Sequence, residues 1–261
     1  MAKSSATNPA IIPVIAALPL FQNMEKDLLG GLISSSRLVT LPKGEVFVEQ
    51  GQPISRFYIV LDGWCGASRT NSDGQESILQ IFRRGDSVPD INQSEANKIS
   101  AYNMQALTEV HLLMISPSLL QNAARLSPTF NANIQNETVR RANELRDHVE
   151  QLTLHTAEER VGRFLLQIRN LDPNCTTQLD IPFDKSIVAS YLGIKPETFS
   201  RCLKQFKEQG IAVDGLHLRL PDRLALCDYC DQIAAQSCRH ASSADCPQHE
   251  TEKPHPLSQP D

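Results

Sequence analysis

Glycine spacing changes abruptly near residue 117, and that change divides the chain into a β-rich half and a helical half. Between Arg37 and Leu113, Gly44, Gly51, Gly63, Gly74 and Gly85 cut short β-branched and aromatic runs such as RFYIVLDGW and VHLLMI. Asp62-Gly63 and Asp73-Gly74 are hairpin dipeptides that supply the positive φ a tight turn demands. An antiparallel roll or barrel is expected there. From Thr129 to Arg169 glycine and proline almost vanish, which predicts helix. A chain of 261 residues has room for the two separate cores this division requires.

Within the helical half, Ala142, Leu145, Val149 and Leu152 recur at alternating steps of three and four among Arg, Glu and Asn. So narrow an apolar stripe fits a coiled-coil seam better than a face laid on a broad core, and it predicts a homodimer helix. The competing reading packs this helix against its own domain. After Arg223 periodicity is lost, and 241–261 is a polar tail expected to stay disordered unless its cysteines bind something.

The net charge of −5 gives the chain no general attraction to nucleic acid, so any affinity for DNA must come from a local basic surface. FDKSIVASYLGIKPETFSRCLKQFKEQGIAVDGLHLRL, residues 183–220, provides one. Ile187, Val188, Tyr191 and Leu192 share one helical face, Gly193 breaks the helix, Ile194 plugs the corner, and Pro196 opens a second helix where its missing N–H is harmless. Phe199, Leu203 and Phe206 point that second helix inward. Lys195, Glu197, Thr198, Ser200, Arg201, Lys204 and Lys207 remain outside, four cations against one carboxylate. Arg can pair two donors with a guanine edge, Glu accepts from cytosine, and Ser, Thr and Lys serve phosphates. Gly210 then stops the helix, and Asp214-Gly215 turns a two-stranded wing.

PETFSR following FDKSIVASYLGIK resembles the recognition helix of the cyclic-AMP-receptor/fumarate-nitrate-regulator (CRP/FNR) superfamily, and the likeness extends from Leu18-Pro19-Leu20-Phe21 to Leu224. It implies an α+β chain with an N-terminal antiparallel β-roll (a cyclic-nucleotide-binding-like jelly roll), a long dimerisation helix and a C-terminal winged helix-turn-helix. The expected divisions are 1–116 for the sensor, 117–155 for the dimer helix, 156–226 for the DNA-binding domain and 227–261 for a flexible Cys-rich tail. The resemblance further implies that Glu197, Ser200 and Arg201 touch bases of a TTGA-type half-site. A homodimer would read the inverted repeat through Pro196–Lys207, with RNA polymerase as a further partner. The E-x-x-S-R spacing is closer to the oxygen- and nitric-oxide-responsive branches than to the cyclic-AMP receptor.

Three readings of the signal remain open at this point. Cyclic AMP is disfavoured, because Ser100-Ala101-Tyr102-Asn103 offers no cation where nucleotide-binding relatives hold the phosphate with an Arg-Ser or Arg-Thr pair, and Arg83 and Arg84 read as surface charges. Cys227, Cys230, Cys238 and Cys246 form a clustered thiolate set suited to zinc or an iron–sulfur centre, whereas no cysteine precedes Cys65. Haem in the roll is the other candidate. His111, Met104 and Met114 read as ordinary strand residues and no ligand is assigned. Cys65 and Cys202 read as small buried hydrophobes. A redox, gas or metal signal is therefore expected.

Other function classes fit less well. No histidine lies between Thr40 and Val110, which argues against a cupin-type metalloenzyme, and no nucleophile triad or phosphate loop points to an enzyme. A non-regulatory metal-binding or scaffold protein using the tail is the alternative, but it leaves Glu197, Ser200 and Arg201 unexplained. Ile11–Phe21 is apolar yet interrupted by Pro13 and Pro19, with no clear cleavage site, so a cytoplasmic protein with no membrane association is expected.

Overall fold

The computed structural model describes residues 3–6, 11–74, 76–88, 99–171, 177–222 and 224–229. It divides into two units, 1–149 and 150–261.

In the first unit the glycine-cut runs form two antiparallel sheets. Strands β1 (Lys3–Ala6), β2 (Arg37–Leu41), β4 (Phe57–Asp62), β7 (Ser87–Val88) and β9 (Val110–Ile115) pair in the order β1-β2-β9-β4-β7. The other sheet runs β3-β8-β5-β6, built from β3 (Val46–Val48), β5 (Cys65–Thr70), β6 (Glu76–Phe82) and β8 (Asn103–Ala106). Alternation along β4 and β9 gives each strand two apolar faces. Val60, Val110 and Leu112 enter the roll interior with Cys65, Phe82 and Met104. Phe57, Ile59, Leu113 and Ile115 point the other way, into a second cluster. Gly63 turns β4 into β5 at φ +80°, and a Cβ there would lie 2.2 Å from the Glu109 carbonyl oxygen, so only glycine fits.

The second cluster is closed by helices. Helices α1 (Ile12–Ala16) and α2 (Lys26–Ser34) come from the N-terminal segment, and Phe21 stacks on Phe130 at 5.7 Å between ring centroids. The apolar stretch at Ile11–Phe21 is therefore core, with Ile15, Leu20 and Phe21 buried.

Where a single helix is expected over 117–155, the chain makes two: α3 (Pro117–Leu126) and α4 (Pro128–Leu154). Each begins with Ser-Pro. Ser116 accepts the Leu119 N–H and Ser127 accepts the Phe130 N–H, while each proline takes the first helical position, where an N–H would lack a partner anyway. No described helix is long and apolar enough to cross a membrane.

After the last residues of α4, the second unit continues with α5 (Ala157–Leu171), started by a reciprocal cap in which Thr156 and Glu159 each accept the other's backbone N–H. The hydrogen bonds from Thr156 hold the Glu159 carboxyl below its usual range. Then come β10 (Gln178–Asp180), α6 (Lys185–Tyr191), α7 (Pro196–Glu208), β11 (Ala212–Asp214) and β12 (His217–Arg219). The wing holds three strands, in the order β10-β12-β11, rather than the expected two.

Candidate nucleic-acid interface

The turn between α6 and α7 is fixed by backbone requirements. Gly193 sits at φ +62°, and a Cβ there would approach Leu152 to 2.9 Å. Arg160 donates to the Leu192 carbonyl at 2.7 Å, satisfying an orphan acceptor at the end of α6, and the Ile194 N–H closes on the Ala189 carbonyl at 2.9 Å. Val188 and Ala189 are the buried residues of α6, and Leu192 at its C-cap is buried as well; Ile187 and Tyr191 are half-buried.

Helix α7 is sharply two-faced. Phe199, Cys202, Leu203 and Phe206 are buried, and Phe199 and Phe206 are fully enclosed. Lys195, Glu197, Ser200, Arg201, Lys204 and Lys207 are exposed and Thr198 is half-buried. All seven expected DNA-contact residues thus lie on one helix and its N-terminal flank, with their side chains left to solvent by the packing of the opposite face. Burial raises the pKa of the Cys202 thiol, aided by Glu158, which keeps it neutral.

A shallow cavity of about 480 Å³ lies between the end of α7 and the wing, lined among others by Gln178, Asp180, Lys207, His217 and Arg219. Sequence reasoning missed His217 and Asp180. They sit directly opposite in the register of β12 and β10, with His217 Nδ1 2.6 Å from the Asp180 carboxylate. That hydrogen bond and the charge of Asp180, with Asp214 adding to both, raise the histidine pKa above 6.5. The charge is present below the raised pKa and is lost as pH rises through it. DNA affinity is therefore expected to fall as pH rises through that raised pKa, and His217→Gln to flatten the dependence. A pH titration of DNA binding that is unchanged by His217→Gln would remove His217 from the interface.

The predicted seam lies on the outside of α4 and carries large apolar side chains. Leu145 is 45% exposed, Val149 58% and Leu152 39%, and Ala142 is exposed as well. On the inner side of α4 is a cluster that sequence reasoning missed. Asp86, which is buried, lies 2.9 Å from both Arg140 and Arg141, and these two arginines also engage Glu137 and Glu144. The Arg141 guanidinium lies 4.7 Å from the centre of the Phe82 ring. Burial opposes charge on Arg140, but the hydrogen bond to Glu137 and the surrounding carboxylates outweigh it and raise its pKa. The i, i+3 and i, i+4 spacing of Glu137, Arg140, Arg141 and Glu144 was readable. Their partner 54 residues earlier was not.

Among the candidate metal ligands, Cys227 is buried in a short 3-10 turn, Cys227–Tyr229. Cys230, Cys238 and Cys246 lie outside the described residues. Among the described residues no group of three or more His, Cys, Asp or Glu is placed to hold a metal ion. Cys65 is buried in the roll, where desolvation and Asp86 push its thiol pKa up. Met104 is core, Met114 packs against it, and His111 is an exposed strand residue bonded to Thr40 at 2.9 Å. Arg83 and Arg84 are exposed, and the Ser100 hydroxyl donates to the Tyr102 carbonyl.

Comparison with known proteins agrees with this layout. Residues 38–125 match the cyclic nucleotide-binding domain family, and residues 159–229 match the Crp-like helix-turn-helix domain. The chain is 27% identical over 223 residues to the transcriptional activator protein FnrA of Stutzerimonas stutzeri, covering 80% of this chain and 86% of that one. It is also 27% identical over 222 residues to the transcriptional activator protein Anr of Pseudomonas protegens, with the same shares covered. The solved structure of FixK2 from Bradyrhizobium japonicum shares the fold, with a TM-score of 0.65 at 23% identity over 75% of this chain and 98% of that one. A β-roll and a helix-turn-helix matched in this order, in relatives covered over most of their length, show that the chain belongs to the CRP/FNR family of transcription regulators.

Proposed function

We propose that the chain binds DNA as a homodimer, reading TTGA-type half-sites of an inverted repeat with Glu197, Ser200 and Arg201. Lys195, Thr198, Lys204 and Lys207 meet phosphates. The observation that carries this reading is the exposed polar face of α7, set opposite four buried apolar side chains. A helix that served packing alone would have no use for a guanidinium, a carboxylate and a hydroxyl together on its outer face. Ala142, Leu145, Val149 and Leu152 of two chains form the seam, which spaces the two recognition helices one DNA turn apart. RNA polymerase is the partner that converts binding into transcription. The signal is redox, gas or metal, taken by an iron–sulfur centre or zinc on Cys227, Cys230, Cys238 and Cys246, or by haem in the roll.

Two substitutions test the division of labour on α7. Arg201→Ala should lose about 1–3 kcal/mol of operator affinity and relax base choice at one position of each half-site. Lys207→Ala should weaken operator and random DNA alike and lower the salt slope by about one. Binding titrations of both variants on both DNAs over a range of salt decide the matter. Equal losses on operator and random DNA for Arg201→Ala would sink the assignment of Arg201 as a base reader.

A further inference from the structure

Tyr229 lies beyond the wing, outside the helix-turn-helix itself, yet it meets two helices of that domain, α5 and α7. Its ring sits on α5 at Gly162, where a Cβ would come within 2.4 Å of the ring. The ring also packs at a steep angle against Phe206 of α7, with centroids 5.6 Å apart at 82°. Its hydroxyl donates to Glu158 at 3.3 Å, and the same carboxylate oxygen accepts from the Gln209 amide, at the C-terminal cap of α7, at 3.1 Å. Burial and the neighbouring Glu158 push the tyrosine pKa up to about 12, so it remains a donor at any physiological pH.

We infer that Tyr229 is a positioning residue for the recognition helix, clamping the C-terminal turn of α7 to α5 through Phe206 and the shared Glu158 carboxylate. The inference rests on the proposed DNA-binding role of α7. Phe206 is the last inward anchor of that helix and is fully buried. Lys204 and Lys207 flank it on the exposed face, so a rocking of the last turn would carry both cations and shift Arg201 against a base edge. Gly162 reports the same contact from α5. In the middle of an α-helix glycine costs stability relative to alanine, and this helix tolerates it where the tyrosine ring lies closest.

The glycine allows a test in which the sign of the effect is informative. On helix propensity alone Gly162→Ala should stabilise the domain. If the clamp operates, the added methyl must displace the ring, and selectivity for operator over random DNA should fall roughly two- to tenfold, the range expected for an aromatic contact. Tyr229→Ala should do the same, Tyr229→Phe should retain most of the selectivity, and Gly162→Ala combined with Tyr229→Ala should be no worse than either alone. Backbone amide exchange on the full chain supplies a readout independent of DNA. Amides of residues 205–211 should exchange faster in Gly162→Ala and Tyr229→Ala, and those of α6 should not. Unchanged exchange in Gly162→Ala overturns the clamp, whatever the DNA result. Faster exchange in a protein whose wild-type form selects no sequence from a random DNA pool would leave the clamp standing and remove the DNA-reading role of α7 instead. Normal selectivity in Gly162→Ala despite faster exchange overturns the positioning role.

Discussion

A Val149→Glu chain is expected to sediment as a monomer and to lose at least ~10³-fold in operator affinity, down to the level of random DNA. Val149 is the more exposed of the two central residues of the stripe, at 58% against 45% for Leu145. In a parallel seam a residue at such a position faces its own twin, so the substitution places two carboxylates opposite each other in a desolvated contact. Each monomer then meets one half-site, and the second half-site no longer binds at the high local concentration that dimerisation provides. The change lies on the outer side of α4, away from Asp86 and the roll, so folding should be unaffected. Mixing this variant with Val149→Lys should restore a dimer, because opposite charges then face each other. Sedimentation velocity checks both results, and a Val149→Glu protein that stays dimeric would place the interface elsewhere.

What the sequence made legible follows the range of the interactions. The recognition helix was readable because Gly193, Pro196 and the 3.6-residue apolar period all act within a few residues. The wing turn was readable at Asp214-Gly215 for the same reason. Strand β10 was not, since three residues carry no period and its register with β12 joins Gln178 to Arg219. The break between α3 and α4 was written locally as a second Ser-Pro, at Ser127-Pro128, and went unread because the glycine-poor stretch around it suggested one uninterrupted helix. Tyr229 was invisible. Nothing near it is periodic, and its meaning comes from Gly162 and Phe206, which are distant in sequence. The charged cluster fails for the same reason, since a helix surface rich in Arg and Glu reads as solvated until Asp86 is seen beneath it.

That cluster makes Asp86 a sensitive position in the first unit. Its side chain is 6% exposed, one oxygen meets Arg140 and Arg141 at 2.9 Å, and the other accepts the Arg83 N–H at 2.7 Å, which closes the turn leading into β7. Asp86→Asn preserves the shape and removes the charge, so two partly buried guanidinium groups lose a carboxylate they were folded around. Removing one partner of a buried ion pair costs about 3–5 kcal/mol, and Glu137 and Glu144, which remain, should hold the loss near the lower end. A surface pair of the same geometry would be worth under about 1 kcal/mol, so the size of the effect also reports how buried the cluster is. The chain's one tryptophan, Trp64, lies in the roll, so its fluorescence follows the unfolding of this unit. Denaturant titrations should show the Trp64 midpoint shifted in Asp86→Asn. Asp86→Asn combined with Arg141→Met should cost less than the sum of the single changes, because the second substitution removes the cation that the first left exposed to an apolar interior. An unshifted midpoint in Asp86→Asn, or strict additivity with Arg141→Met, would mean that the roll and the helix are held together by Phe82 and the apolar core, and that the ion pairs contribute nothing to that contact.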